Sequence, residues 1–435
     1  MKLQTNKLLC EPGTLREPGT QKNAYLAPKV PGSQKRGNMK LTFVSNYINH
    51  HQIPLSNVLY EKLGDNYAFI QTEPMEEERI KLGWDDDFDS IPYLKKYYEN
   101  GLECKKLIME SDIVVFGGCE DESVIEDRLH AGKPVIRYSE RLYKEGQWKC
   151  VSPRGLKKKY HDHTRYSDKK VYLLCAGAYV ADDFNIIKAY RGKRFKWGYF
   201  PEFKAYTDDE RKERRDERRS HSKLEILWAG RLIDWKHPES VIKLAKTLKE
   251  KDIPFEISVI GGGKMEKEIE SAIEKNGLTE EVKLLGMMKP EEVRKHMTTA
   301  DIFLITSDYR EGWGAVCNEA MNEGCVVVAS HAAGAVPTLI KHRVNGMIFP
   351  SGDFAKMAFQ IEELSKDQKW RLSLGENAYE TLENGWNHVT AAERLLKLSE
   401  AIMEDKPFFY DKGPLSEAKV IPERKMYRKV IGIEQ

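Results

Sequence analysis

From Met39 onward, short apolar runs alternate with amphipathic stretches. In the first half, Leu41–Ser45, Tyr67–Gln71, 112–117, 134–138 and Val171–Ala176 are brief runs rich in β-branched and aromatic residues, and they read as strands. Residues 55–63 have helical spacing, and Gly198-Tyr-Phe-Pro closes this half. Several of the runs are apolar throughout. A strand of that kind is buried on both faces, so the pattern predicts a parallel sheet covered by helices on each side. In the second half, Leu224–Ala229, Phe255–Ile260, 282–285, Ile302–Ile305 and 325–329 read as strands. A helix starts at Pro238 and keeps Val241, Leu244, Ala245 and Leu248 on one face. A second, 264–276, carries Met265, Ile269 and Ile273 and stops at Gly277. Strands alternating with helices predict a doubly wound, Rossmann-like domain.

The flanks differ from this rhythm. Residues 1–38 carry EPGT twice and have no periodicity, so they are expected to be a disordered extension ahead of a folded unit that starts at Met39. Residues 208–223, DDERKERRDERRSHSK, have mixed charge and no apolar face, which marks a linker or an exposed helix between two domains. Residues 353–404 are predominantly helical, and 405–435 form a mixed tail that can pack back across the first domain.

Composition narrows the function. A chain of 435 residues with 40% hydrophobic content can fill two or three cores. A net charge of +2 gives no electrostatic case for nucleic acid as a partner. The seven cysteines are scattered without a CxxC pair, which fits a reducing compartment and argues against zinc. No apolar run approaches the roughly 20 residues of a membrane span, and the N-terminus lacks an apolar signal core. A cytoplasmic protein is expected. The basic segment 152–170 sets Arg154, Lys157, Lys158, Lys159, Arg165, Lys169 and Lys170 against Asp162 and Asp168. It is a candidate for peripheral contact with anionic lipid.

The candidate chemistry centres on DYREGWGAVCNEAMNEGCVVVAS, residues 308–330. Glu311 and Glu319 flank a turn of Gly312, Trp313 and Gly314 that feeds a helix start at Ala315 and Val316. Backbone N–H groups at such a start can meet an anion. A carboxylate before the turn can face a ligand, and one inside the helix can accept from a hydroxyl. Gly230, Arg231 and Lys236 follow a strand, and ligands of open α/β sheets bind outside that edge. Arg231 offers a planar fork and Lys236 a point charge, a pair suited to a diphosphate; two solvated cations are the plainer reading. Gly261, Gly262 and Gly263 allow close backbone approach, but their spacing is not GxGxxG. Gly286 and Met287 follow the next strand and can present backbone to a base. In the first half Asn46, His50, His51, Gly117, Gly118 and Glu140 follow strands and would line the facing wall of a cleft.

The ordered set AGRLIDWKHPE, VIGGGKMEKEIE, LLGMMKPEEV, EGWGAVCNEAM and CVVVASHAAGAVPTLI resembles the retaining glycosyltransferases of family 4, which have the GT-B fold. It spans 224–350; the first half shares only the rhythm of strands and helices. The resemblance implies an acceptor-side domain at 39–207, a linker at 208–223, a donor domain at 224–400 and a tail at 401–435. It implies that Arg231 and Lys236 hold the diphosphate, Glu311 the donor sugar and Glu319 the ribose. The N–H groups near Ala315 and Val316 would meet a phosphate, with Gly230, Gly261, Gly262, Gly263, Gly286, Met287, Gly312, Trp313 and Gly314 around the donor. It further implies a UDP-hexose donor, a glycan or lipid-linked acceptor, and retention of configuration, the leaving phosphate helping to deprotonate the acceptor. No cofactor and no metal are expected: the chain has no DxD-type pair in a suitable loop, Asp85-Asp-Asp87 lying in an acidic stretch of the first half. Where many members carry a histidine after a first-domain strand, this chain has Ser139-Glu140-Arg141. Two other readings stand beside this one. The first is a non-catalytic GT-B partner of another transferase, which intact Arg231, Lys236, Glu311 and Glu319 argue against. The second is a Rossmann oxidoreductase, which the missing GxGxxG argues against.

Overall fold

The computed structural model describes residues 39–76 and 88–430. The 1–38 tract and Asp85-Asp-Asp87 lie outside the described residues. The strands are β1 (Leu41–Ser45), β2 (Tyr67–Gln71), β3 (Leu94–Lys96), β4 (Ile113–Gly117), β5 (Val135–Ser139), β6 (Val171–Ala176) and β7 (Arg194–Trp197), then β8 (Leu224–Ala229), β9 (Phe255–Ile260), β10 (Val282–Gly286), β11 (Ile302–Ile305), β12 (Val326–Ser330) and β13 (Met347–Phe349). They form two sheets, ordered β3-β2-β1-β4-β5-β6-β7 and β10-β9-β8-β11-β12-β13. Every pairing is parallel. The central strands β1, β4, β11 and β12 are buried along their whole length. That is the cost-free place for a continuous apolar run, because a parallel sheet covered on both faces offers no solvent side. Three strands go beyond the sequence expectation. β3 and β13 are only three residues long, and β7 (RFKW) carries a charge at every second position; all three lie at sheet edges, and β13 (MIF), though apolar and buried, is too short to stand out as a run.

The charged run at 208–223 is not a free linker. Asp208–Ser220 is a helix, started by a capping box between Thr207 and Glu210. It packs through arginine rather than through an apolar stripe, so of the two readings, linker or exposed helix, the helix holds but one face of it is packed. The buried Arg218 guanidinium donates to the carbonyls of Ala300, Met297 and Glu323. Arg214 pairs with Glu323 at 2.6 Å, and Arg294 reaches the same carboxylate at 2.7 Å from the other side. Burial alone would raise the Glu323 carboxyl, but Arg294, Arg214 and Tyr206 outweigh it and hold it below the ordinary value. The helix is thereby clamped to the second domain.

The chain then returns to the first domain. The helix His388–Met403 lies against the first-domain helix Ile53–Leu63, with Lys62 and Glu393 3.1 Å apart, so it does not belong to the second domain alone. The tail runs beside β7: Leu415 N–H donates to the Lys196 carbonyl and Lys196 N–H to the Ser416 carbonyl, each at 2.8 Å. The last described helix, Glu423–Val430, sets Glu423 on the buried Arg141 and Tyr427 beside His331 of the second domain. Among the described residues no helix is long and apolar enough to cross a membrane.

Glu323→Ala leaves Arg294 buried without its carboxylate. The expected cost is about 3–5 kcal/mol, as for other buried pairs broken on one side. A fall of the urea midpoint for the second domain measures it, and the effect should be far larger than that of Asp216→Ala on the exposed side of the same helix.

Candidate active site

The two sheets face each other across one cleft of about 1080 Å³, walled by the loops at the carboxyl ends of β1, β4 and β5 on one side and of β8 to β11 on the other. In each sheet the strand order reverses there, between β1 and β4 and between β8 and β11. The loops diverge at such a point and leave room for a ligand.

Lys236 and Glu311 meet at the centre. Lys236 Nζ donates to Glu311 Oε2 at 2.5 Å, Ser307 Oγ donates to the same oxygen at 3.2 Å, and both charged side chains are only 16% exposed. Burial would raise the Glu311 carboxyl, but Lys236 first, then Ser307 and Lys144, hold it below its ordinary value. The loop that carries Lys236 is fixed by two direct bonds, one of them braced in turn by Trp228. Thr306 Oγ1 donates to the Lys236 carbonyl at 2.5 Å, Asp308 N–H donates to the Trp235 carbonyl at 2.9 Å, and Trp228 Nε1–H holds Thr306 at 2.9 Å. His237 sits between Asp308 and Glu239, whose hydrogen bonds raise its imidazole to about 9. Asp308 would be raised by burial, but His237 and Arg310 bring it to about 2.

Around this pair the donor-side candidates gather. Arg231 lies over the Trp235 ring at 5.4 Å, with Arg310 over the same ring at 5.5 Å. Gly230, Arg231, Gly261, Gly262 and Met287 line the cleft, Met287 as an exposed rim. Gly261 has φ +136° and a Cβ there would stand 1.9 Å from the Gly230 carbonyl, so only glycine joins these two turns. Gly263 and Gly286 do not line the cleft: Gly263 packs on the Leu232 backbone, and the Gly286 carbonyl accepts from Gly261 N–H at 2.8 Å. They shape the turns and do not reach the cleft themselves.

Gly312, Gly314, Ala315, Val316 and Glu319 also line the cleft, at the start of the helix Val316–Asn322. Trp313 does not. Its ring is fully buried, donates to Asn318 Oδ1 at 2.9 Å and packs by Trp386 and Gly198. The turn that sets Gly312 and Gly314 against the cleft points the residue between them inward, so the large side chain becomes core. Glu319 is buried, with His51 Nε2 of the facing domain 3.8 Å from Oε1. The ring of His50 lies 3.9 Å from that of His51, and these two with Glu319 are the one group among the described residues with metal-binding geometry.

On the first-domain wall, Asn46, His50, His51, Gly117, Gly118 and Glu140 all reach the cleft. Glu140 crosses it: a Cβ on Gly312 would fall 2.1 Å from Glu140 Oε2, so that glycine is what admits the carboxylate to the turn after Glu311. Tyr199 OH donates to Glu140 Oε1 at 2.5 Å and Lys144 pairs with Oε2. Burial, then Glu140, raises the Tyr199 hydroxyl far above its ordinary value, so it remains a donor. Tyr199 also lies parallel to His51 at 6.0 Å. Sequence reasoning passed over Lys144, Tyr199, Trp235 and Arg310. Tyr199 had a signal, because it stands two residues after the end of β7; Lys144 stands four after Glu140.

Residues 209–381 match the family of glycosyl transferases group 1. Amylovoran biosynthesis glycosyltransferase AmsK of Erwinia amylovora is 32% identical over 187 residues, 42% of this chain and 46% of that protein. Putative colanic acid biosynthesis glycosyltransferase WcaL of Escherichia coli K12 is 27% identical over 185 residues, 41% of this chain and 45% of that one. The matched region thus spans less than half the length of these relatives. Two solved structures share the fold: Anabaena Alr3699/HepE in complex with UDP, at 18% identity and TM-score 0.62 over 83% of this chain and 100% of that one, and sucrose-phosphate synthase from Thermosynechococcus elongatus, at 14% and 0.62 over 85% and 100%. The second domain is thus similar to the glycosyl transferases group 1, and the chain has the GT-B fold.

The raised His237 makes one outcome pH-dependent. A group with a raised folded pKa stabilises fully below its ordinary value of 6.5, and loses that contribution as pH rises through about 9. His237→Gln is therefore expected to lower the urea midpoint near neutrality, and the gap to the unaltered chain should close as pH is raised through about 9.

Proposed function

We propose that the chain is a retaining, family 4-type hexosyltransferase that moves a sugar from a UDP-sugar to a glycan or lipid-linked acceptor in polysaccharide or glycoconjugate synthesis. One observation carries this reading. Arg231, Lys236, Glu311 and Glu319, spread over 89 positions of the chain, converge on one sheet edge and face a polar first-domain wall. The relatives named for amylovoran and colanic acid biosynthesis support it, as do fold neighbours solved with UDP and UDP-glucose.

In this reading the residues divide the work. Arg231 and Lys236 face the diphosphate and stabilise the charge that grows on it as the bond from the anomeric carbon to phosphate oxygen breaks. The acceptor oxygen forms its new bond to that carbon on the same face, and its proton passes to the departing phosphate oxygen. Glu311, held ionised by Lys236, accepts from donor-sugar hydroxyls, and Glu319 accepts from ribose hydroxyls. Glu140, oriented by Tyr199 and Lys144, supplies the first-domain carboxylate beside the reacting carbon, where many relatives of this type have a histidine. Two fixed cations and a helix start supply the positive charge at the diphosphate, so transfer proceeds without a metal.

A thermal-shift screen with UDP-, GDP- and ADP-sugars should show stabilisation by a UDP-sugar, growing with the ratio of ligand to its dissociation constant. Absence of both nucleotide binding and transfer across the panel would sink the proposal. Glu319→Ala should weaken nucleotide binding about ten- to hundredfold by removing charged acceptors. Glu311→Ala should lower kcat roughly a hundredfold with little change in UDP affinity. Equal loss of UDP affinity in both variants contradicts this division of roles. EDTA is expected to leave transfer unchanged; loss of transfer with recovery on adding a divalent cation would instead assign a metal to His50, His51 and Glu319.

A further inference from the structure

Large exposed apolar side chains on a soluble domain are usually scattered singly. Here four of them fall within the 14 residues 148–161: Trp148 is 70% exposed, Val151 75%, Leu156 43% and Tyr160 59%. The same 14 residues hold five cations, Lys149, Arg154, Lys157, Lys158 and Lys159, and no acid. The fold explains the display. Gln147–Val151 is a short 3-10 turn, and Pro153–Asp162 is a helix capped by Ser152. That helix touches the domain along one edge only, through Gly155, Lys159 and the buried Asp162, where Lys158 is tied at 2.8 Å. Leu156 and Tyr160, four apart, stand together on the outer side with Arg154 and Lys157 beside them. The surface begins upstream of the basic 152–170 segment and ends where Asp162, His163 and Tyr166 turn into the core.

We infer that this surface docks on an anionic lipid bilayer. Trp and Tyr rings favour the boundary between headgroups and acyl chains, and Val151 and Leu156 add apolar area beside them. Arg154 and Lys157 carry long stems that let their charges reach lipid phosphates while the rings insert. The surface is a single convex helix with its preceding turn, without a groove to receive a peptide, and its charge is of one sign. Its inner edge belongs to the cleft, since Lys158, Lys159 and Asp162 line it. Docking therefore sets the acceptor wall next to the bilayer, where a lipid-linked acceptor would be presented; this last link rests on the function proposed above, and the docking itself does not.

The test is sedimentation of the full chain with vesicles of phosphatidylcholine alone and of phosphatidylcholine mixed with phosphatidylglycerol. Binding is expected to the anionic vesicles only, with release as salt is raised. Trp148→Ala with Leu156→Ser should lower the partition coefficient at least about tenfold. Arg154→Gln and Lys157→Gln should each lower it about fivefold. All four positions are exposed, so thermal midpoints and UDP affinity should stay unchanged. A chain that remains in the supernatant, binds neutral vesicles equally well, or keeps its partition in these variants overturns the inference. Self-association abolished by Trp148→Ala would assign the surface to a second copy and overturn it as well. UDP titration of the same samples separates the two proposals, because failure to bind UDP leaves the vesicle result standing.

Discussion

The arrangement of the cleft hangs on one buried carboxylate. Glu311 sits where two domains approach, shielded from water, and an ionised carboxylate in such a place needs a fixed cation. Lys236 provides it from a different strand, so β8 and β11 must end at matching heights. The contacts around them serve that requirement. Thr306 holds the Lys236 carbonyl, Trp228 holds Thr306, and charged His237 binds the loop of Asp308 to its own. The outcome is a cationic and an anionic group preset at one point, without the reorganisation that water would need to place charge there.

The second constraint is steric. The domains touch through backbone, and small residues make this possible. Glu140 reaches across because position 312 has no side chain, and Ala178 N–H donates to the Gly334 carbonyl at 3.0 Å from the opposite domain. Tyr179 OH adds a bond of 2.7 Å to the His331 carbonyl, and the tail sets Glu423 on Arg141 nearby. These contacts lie beside the cleft and hold its two walls at a distance at which His51 meets Glu319. A ligand that takes Glu319 must exchange with His51 of the first domain, so binding and the relative placement of the walls are coupled.

The chain also separates two uses of arginine and lysine. In the helix Asp208–Ser220 cations are consumed by carboxylates and carbonyls and act as packing. In Pro153–Asp162, Arg154 and Lys157 stay in solvent beside exposed rings. The first stretch carries as many acids as cations and the second is almost purely basic, and their surroundings make one an internal clamp and the other a surface that faces outward.

The sequence by itself determined the rhythm of the two sheets. Strands buried on both faces must be predominantly apolar, and that is visible from the chain alone in β1, β4, β11 and β12. It also placed Arg231, Lys236, Glu311 and Glu319 after strands, where a sheet edge holds ligands. The edge strands β3 and β7 stayed hidden because one-sided pairing asks little of composition, and β13 because three residues are too few to form a run. What only the tertiary structure decided is which neighbours each side chain meets. Trp313, between two cleft-lining glycines, becomes core because the turn points it inward. Tyr199 and Lys144 gain meaning only once Glu140 lies between them. Lys236 and Glu311, 75 residues apart, become one unit for the same reason. Contacts between distant segments are set by packing of whole sheets, and no local pattern in the chain records them.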